Sequence, residues 1–342
     1  MAHRRRLALA VLAAVALATA CNDTDTTTPT GRATVVDTGA TTPDAGTAGA
    51  IATPDTASGT PTTAAPTTVA TSSTTVAAPP STATPTTPVP PPPTTLPVDP
   101  NALPAVEAAA YAVYDGRTGT VLASSQADVP LPVASLMKLL VAQTAYAAGA
   151  PTKIVVAPPG LLIDDAESRI GITPGQELPR DLLIRAMLIV SANDAARLLA
   201  LDIAGGEVPF AELMNQQAAN LGLTNTHAVN ASGLDEDGQY STADDMTRLA
   251  VFLMNNPTFQ LTVKRTDATL NGQLYPASND LLTKYPGADG VKTGHTTQAG
   301  WCIVASALRD GRRIFVTVLG APTEAARDAA ATSLLDWGFR QP

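Results

Sequence analysis

Two strand-like runs, Ala109-Ala110-Tyr111-Ala112-Val113-Tyr114 and Thr120-Val121-Leu122-Ala123, flank the turn-forming stretch Asp115-Gly116-Arg117-Thr118-Gly119. Apolar residues on both sides of a glycine-bearing turn predict a β-hairpin. From Ala134 to Ala147 the pattern becomes helical, and a second helix-rich stretch runs from Arg180 through Ile203 with an interruption near Ser191. Amphipathic helices are expected at about Pro209 to Leu221 and Thr242 to Asn255. Strand patterns return at Gly290 to Gly294, at Gly300 to Leu308 and, after the turn Arg309-Asp310-Gly311, at Ile314 to Leu319. A last helix covers about Thr323 to Trp337. Strands at both ends with helices between them predict an α+β domain, with an antiparallel sheet built from both termini and an inserted all-helical lobe. A cleft between such lobes is where a small site usually sits.

Composition restricts this domain to residues 104–342. All 13 aromatic residues lie at or after Tyr111, whereas 15 of the 29 prolines fall between Asn22 and Pro100. That Thr-, Ala- and Pro-rich stretch cannot bury enough apolar surface to offset chain entropy, so residues 21–103 are expected to form a disordered stalk. Residues 1–20 are different again: Met1-Ala2-His3-Arg4-Arg5-Arg6 precedes an 11-residue apolar run, Leu7 to Leu17, and then Ala18-Thr19-Ala20 and Cys21. The run is too short to span a bilayer and fits the core of a signal peptide. The cysteine after small residues resembles a bacterial lipobox, which implies diacylglycerol on Cys21 and a protein exported and anchored at the outer face of the cytoplasmic membrane, facing the wall. Plain secretion with a passive cysteine is the other reading.

The net charge of −9 argues against electrostatic capture of nucleic acid. Two cysteines, Cys21 and Cys302, in unlike settings make no disulfide framework, and the histidines His3, His227 and His295 lack metal-binding spacing. No cofactor is expected.

Three short strings carry candidate chemistry. In Ser135-Leu136-Met137-Lys138 the hydroxyl and the ammonium are three positions apart, on one helix face. Ser135 as a simple N-cap is the bland reading, but a cation in the first turn opposes the helix dipole. Apolar Met137, Leu139 and Leu140 around Lys138 predict burial and a lowered lysine pKa, which would let the amine take the seryl proton. The second string, Ser191-Ala192-Asn193, reads by itself first as a helix break recapped by Ser191. The third, Lys292-Thr293-Gly294-His295, reads as a carboxylate grip on a strand where glycine admits a substrate to the backbone, or as an ordinary surface strand end.

Taken together, in this order and on these elements, the strings resemble those of the penicillin-interacting serine peptidases, most closely the low-molecular-mass D-alanyl-D-alanine carboxypeptidases. The resemblance runs from about Ala105 to Phe339 and includes Leu221-Gly222-Leu223, Asn230-Ala231-Ser232-Gly233-Leu234-Asp235, Ser241-Thr242-Ala243 and Asp289-Gly290-Val291. It implies a β-lactamase/transpeptidase-like fold and a serine hydrolase that removes the terminal D-alanine from peptidoglycan stem peptides. It also implies β-lactam antibiotics as covalent inhibitors. Carried over residue by residue, Ser135 is the nucleophile, Lys138 its general base and Ser191 a proton relay to the leaving D-alanine. Asn193 hydrogen-bonds the substrate backbone, and Lys292 and Thr293 hold its carboxylate. Gly294 belongs to the same substrate-binding strand, and the backbone N–H groups of Ser135 and His295 form the oxyanion hole.

Some positions depart from the family pattern. Met137 stands where threonine is frequent, and Leu131 where the approach to the nucleophile is often basic. Pro322 stands where some relatives place an arginine near the substrate carboxylate, so that contact is expected to be missing. With the sequence ending at Pro342, anchoring is expected to rest on Cys21 rather than on a C-terminal element. A β-lactamase of related fold would need a Glu-x-x-Leu-Asn loop after the second string, which is absent; a non-catalytic wall-peptide binder would predict a damaged motif, and none is damaged.

Overall fold

The computed structural model describes Asp99 and residues 101–342 apart from Leu162, Ile163, Asp165 and Asn271. The expected signal peptide, Cys21 and most of the stalk lie outside the described residues. The chain forms β1 (Ala110–Asp115), β2 (Thr120–Ser125), a 3-10 turn (Ala134–Met137), α1 (Lys138–Ala147), β3 (Ile154–Val156) and β4 (Glu177–Pro179). Next come α2 (Arg180–Ile189), α3 (Asn193–Ala204), α4 (Glu207–Asn220), α5 (Ala243–Leu253) and α6 (Pro257–Val263). The last third supplies β5 (Asp267–Leu270), β6 (Gln273–Pro276), α7 (Leu281–Lys284), β7 (Ala288–Thr296), β8 (Gly300–Arg309), β9 (Arg312–Ala321) and α8 (Glu324–Arg340).

One antiparallel sheet, in the order β2-β1-β9-β8-β7, joins the two ends of the domain. Both faces of its central strands are buried, which explains their nearly unbroken apolar runs. On β9, Ile314, Val316 and Val318 face α8 with its Leu334, Leu335 and Trp337, while Phe315 and Leu319 join the larger core of the helical lobe. Alternation along a strand divides the two cores. Two polar pairs lie within them: Thr317 meets Thr247 of α5 at 2.6 Å, and Ser306 bonds Asp289.

Helix starts follow local chemistry. Thr242 accepts from the Asp245 N–H at 3.0 Å to begin α5, and Thr323 accepts from the Ala326 N–H at 3.0 Å to begin α8. Asn256 caps α6 with Pro257 in its first turn. Two small hairpins, β3 with β4 and β5 with β6, border the helical lobe. Strand β7, which carries the third string, lies at the sheet edge beside the 3-10 turn that carries the first. No helix among the described residues is long and apolar enough to cross a membrane.

Candidate active site

Ser135 is not an N-cap. It lies inside the 3-10 turn, whose own cap is Val133 without a side-chain bond, and Lys138 opens α1 immediately afterwards. The tightened turn and the first helical residue bring Lys138 Nζ to 2.8 Å from Ser135 Oγ. The turn begins at Ala134, held at a φ of 50°, a left-handed conformation that costs a non-glycine residue energy and persists when its surroundings fix it. Gly233 is part of those surroundings: a Cβ there would come within 2.3 Å of the Ala134 carbonyl oxygen.

Lys138 is completely buried, among Leu136, Met137, Leu139 and Leu140. Its second partner is the backbone carbonyl of Ser232. That carbonyl is presented by a loop that Asn230 Oδ1 closes, accepting from Gly233 N–H at 2.8 Å and Ser232 Oγ at 3.0 Å. The Asn230-to-Asp235 string thus supplies an acceptor that residue-by-residue reading had not assigned. Burial, then the cation of Lys292, hold the Lys138 ammonium far below an ordinary lysine pKa; Arg197 adds to this and Glu167 opposes it. A lysine in that state is a proton acceptor hydrogen-bonded to a hydroxyl.

On β7, Lys292 is 1% exposed and donates to the Thr293 carbonyl at 2.7 Å. Burial, with the Arg327 guanidinium nearby, brings its pKa down to about 7. Thr293 Oγ1 donates to Ser278 O at 3.1 Å and stands 3.1 Å from Ser278 Oγ; Ser278 in turn donates through its N–H to Ile189 O at 2.9 Å. This chain ties the edge strand to the end of α2, just before the second string.

Ser191 and Asn193 span the α2–α3 break. Ser191 is 9% exposed with a φ of 63°, and the cap of α3 is Ala192, so recapping by Ser191 does not occur. Asn193 opens α3, and its Nδ2 donates to Glu167 Oε2 at 2.6 Å. Next to it, the Asp194 carboxylate accepts from the Ile170 N–H at 3.1 Å, the Ile172 N–H at 3.1 Å and the Ala195 N–H at 2.9 Å. The loop ahead of β4 is thereby stapled to the start of α3.

Gly294 admits something closer than a substrate. A Cβ on it would lie 2.9 Å from Ser135 N and 3.1 Å from Ala134 Cβ, so its missing side chain lets the nucleophile turn press against β7. The neighbouring His295 pairs with Trp301 in the ladder, and its exposed ring stacks on the indole with centroids 4.1 Å apart. Pro322 carries no cation, but five residues later Arg327, 2% exposed, lies with its guanidinium 5.5 Å over the Trp301 ring and within the field of Lys292. The expectation concerned the strand end alone, and α8 adds an arginine that it did not consider. The available signal was one arginine, a turn into an alanine-rich helix, with Glu324 and Asp328 beside it at 3.1 and 2.7 Å. Glu167 was also unforeseen, since a loop contact has no periodic signature.

The family described as D-alanyl-D-alanine carboxypeptidase matches residues 98–323. Among curated proteins, D-alanyl-D-alanine carboxypeptidase DacB2 of Mycobacterium tuberculosis is 38% identical over 247 residues, covering 68% of this chain and 82% of that protein. DacA of Escherichia coli K12 is 35% identical over 250 residues, covering 69% of this chain and 61% of that protein; the chain thus spans about three-fifths of DacA. Penicillin binding protein 6B from Escherichia coli superposes with a TM-score of 0.66 at 32% identity, covering 72% of this chain and 81% of that one. Penicillin-binding protein D2 from Listeria monocytogenes, solved in a cefotaxime-bound form, gives 0.64 at 33% identity, covering 70% of this chain and 100% of that one.

Proposed function

This chain belongs to the D-alanyl-D-alanine carboxypeptidase family, and from that premise we propose that it hydrolyses the terminal D-alanyl-D-alanine bond of peptidoglycan stem peptides through an acyl-enzyme on Ser135. One observation carries the assignment: Lys138 Nζ, buried and depressed in pKa, is 2.8 Å from Ser135 Oγ.

In this mechanism Ser135 Oγ attacks the carbonyl carbon of the penultimate D-alanine while its proton passes to neutral Lys138. Such proton transfer contributes about 10²–10⁴-fold. The resulting oxyanion accepts hydrogen bonds from the backbone N–H groups of Ser135 and His295, donors that the close approach at Gly294 supports. Collapse breaks the C–N bond, and the departing amine of D-alanine takes a proton by way of Ser191. Water then attacks the ester, gives a proton back through Lys138 and frees Ser135. Asn193 orients the peptide backbone, and Lys292, Thr293 and Arg327 receive the terminal carboxylate, whose negative charge favours the protonated form of Lys292. A β-lactam presents a strained amide in the same position and acylates Ser135.

The deciding experiment incubates the full chain with a synthetic pentapeptide ending in D-Ala-D-Ala and follows the products by mass spectrometry. Loss of one D-alanine is expected, and Ser135→Ala abolishes it. Labelled penicillin is expected on the peptide containing Ser135 to Lys138; label that persists in Ser135→Ala, or maps to Ser191, removes the assignment.

We propose further that export is followed by lipidation at Cys21. Two acyl chains from a diacylglycerol give durable attachment where one is marginal. The Asn22–Pro100 segment then acts as a spacer, reaching about 240 Å if fully extended at about 3.1 Å per residue. Mass spectrometry of the mature N-terminus tests this: a diacylglyceryl-cysteine is expected, and a free thiol on a chain cleaved elsewhere makes the protein simply secreted.

A further inference from the structure

Glu167 lies ahead of the second string in sequence but against it in space. The backbone that follows it is clamped: the Ser168 carbonyl accepts from the Asn193 N–H at 2.7 Å, and the Ile170 and Ile172 N–H groups donate to Asp194. The carboxylate therefore has a fixed address. One oxygen accepts from Asn193 Nδ2 at 2.6 Å and the other from Arg197 at 3.2 Å.

A carboxylate can only accept, so it dictates which end of a primary amide faces it. Asn193 must turn its NH₂ toward Glu167, and its Oδ1 then points elsewhere, buried and without a hydrogen-bond partner in the substrate-free structure. An unpaired buried acceptor costs free energy that a freely rotating amide would relieve. The carboxylate opposes that relief by holding the other end of the group.

We propose that Glu167 is a positioning residue for the acyl-transfer centre, fixing the rotamer of the Asn193 amide while serving as the acidic counter-charge of the cationic cluster around the nucleophile. The proposal rests on the serine acyl-enzyme reading and goes beyond it. Three charged groups face Lys138 from the elements around it: Lys292 on β7, Arg197 on α3 and Glu167 on the loop before β4. Of these only Glu167 favours the protonated amine. It also pairs with Arg197, whose Nε meets a second carboxylate, Glu207, at 3.0 Å. Removing its charge strips one attraction and leaves a cation less compensated, and both changes favour neutral Lys138.

The test measures labelled-penicillin acylation of the full chain from about pH 5 to pH 9 for wild type, Glu167→Gln and Glu167→Ala. Wild type that fails to label at Ser135 overturns the parent reading. With wild type labelled, Glu167→Gln, which keeps an acceptor for Asn193 but no charge, is expected to move the rising limb about half a pH unit or more toward acid. Glu167→Ala is expected to show that displacement and, with the amide unheld, a plateau lower by about tenfold or more. A limb and plateau unchanged in both variants overturn the proposal. So does an unchanged acylation rate with accumulation of acyl-enzyme, which would assign the carboxylate to the hydrolytic water instead.

Discussion

A Cβ on Gly294 would stand 2.9 Å from the backbone nitrogen of Ser135, nearer than real Cβ atoms come to a backbone atom. The obstacle is backbone on both sides, so one element has to retreat. Gly294→Ala is expected to push the nucleophile turn from β7 and lower acylation by about 100-fold, the size of effect seen when an oxyanion donor is lost. Because the sheet hydrogen bonds of β7 survive the change, the thermal midpoint should fall by only a few degrees. Penicillin acylation rates alongside thermal unfolding check both halves.

Lys138 acts as a base only when neutral, so acylation is expected to rise with pH through an apparent pKa well below about 10.4. Lys138→Arg should retain under about one part in a thousand of the rate, since a guanidinium stays protonated. The same limb should persist in His295→Ala, whose ring is engaged with Trp301 rather than with a reacting proton. A limb that disappears with the imidazole would reassign the base.

Lys292 links the site to stability. Its folded pKa of about 7 lies below the ordinary lysine value of 10.5, so between those values the unfolded chain binds a proton that the folded chain does not. Stability therefore rises with pH across that window. Lys138, lowered by the same kind of burial, adds a slope of the same sign. Above about pH 10 the buried phenols of Tyr114 and Tyr285, pushed up by burial and by Asp244 and Asp336, reverse it. Lys292→Met is expected to flatten the slope and raise stability at pH 7 while abolishing acylation, measured by denaturant unfolding at several pH values.

The sheet and the major helices were readable because their signals are local. Alternation marks the hairpin at Tyr111 to Ala123, and the glycine turn at Gly311 marks the junction of β8 and β9. The interruption near Ser191 is where the α2–α3 break falls. The β5–β6 hairpin and the short α6 and α7 were not foreseen, being too brief to establish a period. At the site, the Ser135–Lys138 pair followed from helical spacing. What joins the strings did not: Ser232 O on Lys138 and Glu167 on Asn193 are contacts across 94 and 26 positions, and the field of Arg327 reaches Lys292 across 35, relations that no window of sequence contains.

Asp194 holds the loop before β4 by accepting N–H groups from Ile170, Ile172 and Ala195 while itself 1% exposed. Asp194→Ala leaves those donors unsatisfied, a cost of about 2–3 kcal/mol. Limited proteolysis should then cut between residues 158 and 172, and acylation should fall because Glu167 leaves Asn193. Resistance equal to wild type would mean the loop is held by other contacts.

The order β2-β1-β9-β8-β7 leaves three strand spacings, about 14 Å at about 4.8 Å each, between β1 and the catalytic edge strand. The chain enters the domain through β1, and just ahead of it Trp337 Nε1 donates to Asn101 O at 3.0 Å, pinning the lead-in against α8. A pull on that lead-in meets the indole first and then runs lengthwise along β1, which is laddered on both flanks. Such a strand must slide past two neighbours at once rather than peel from one. A load applied to that lead-in would act on a strand three places away from β7, which carries Gly294 against the Ser135 turn.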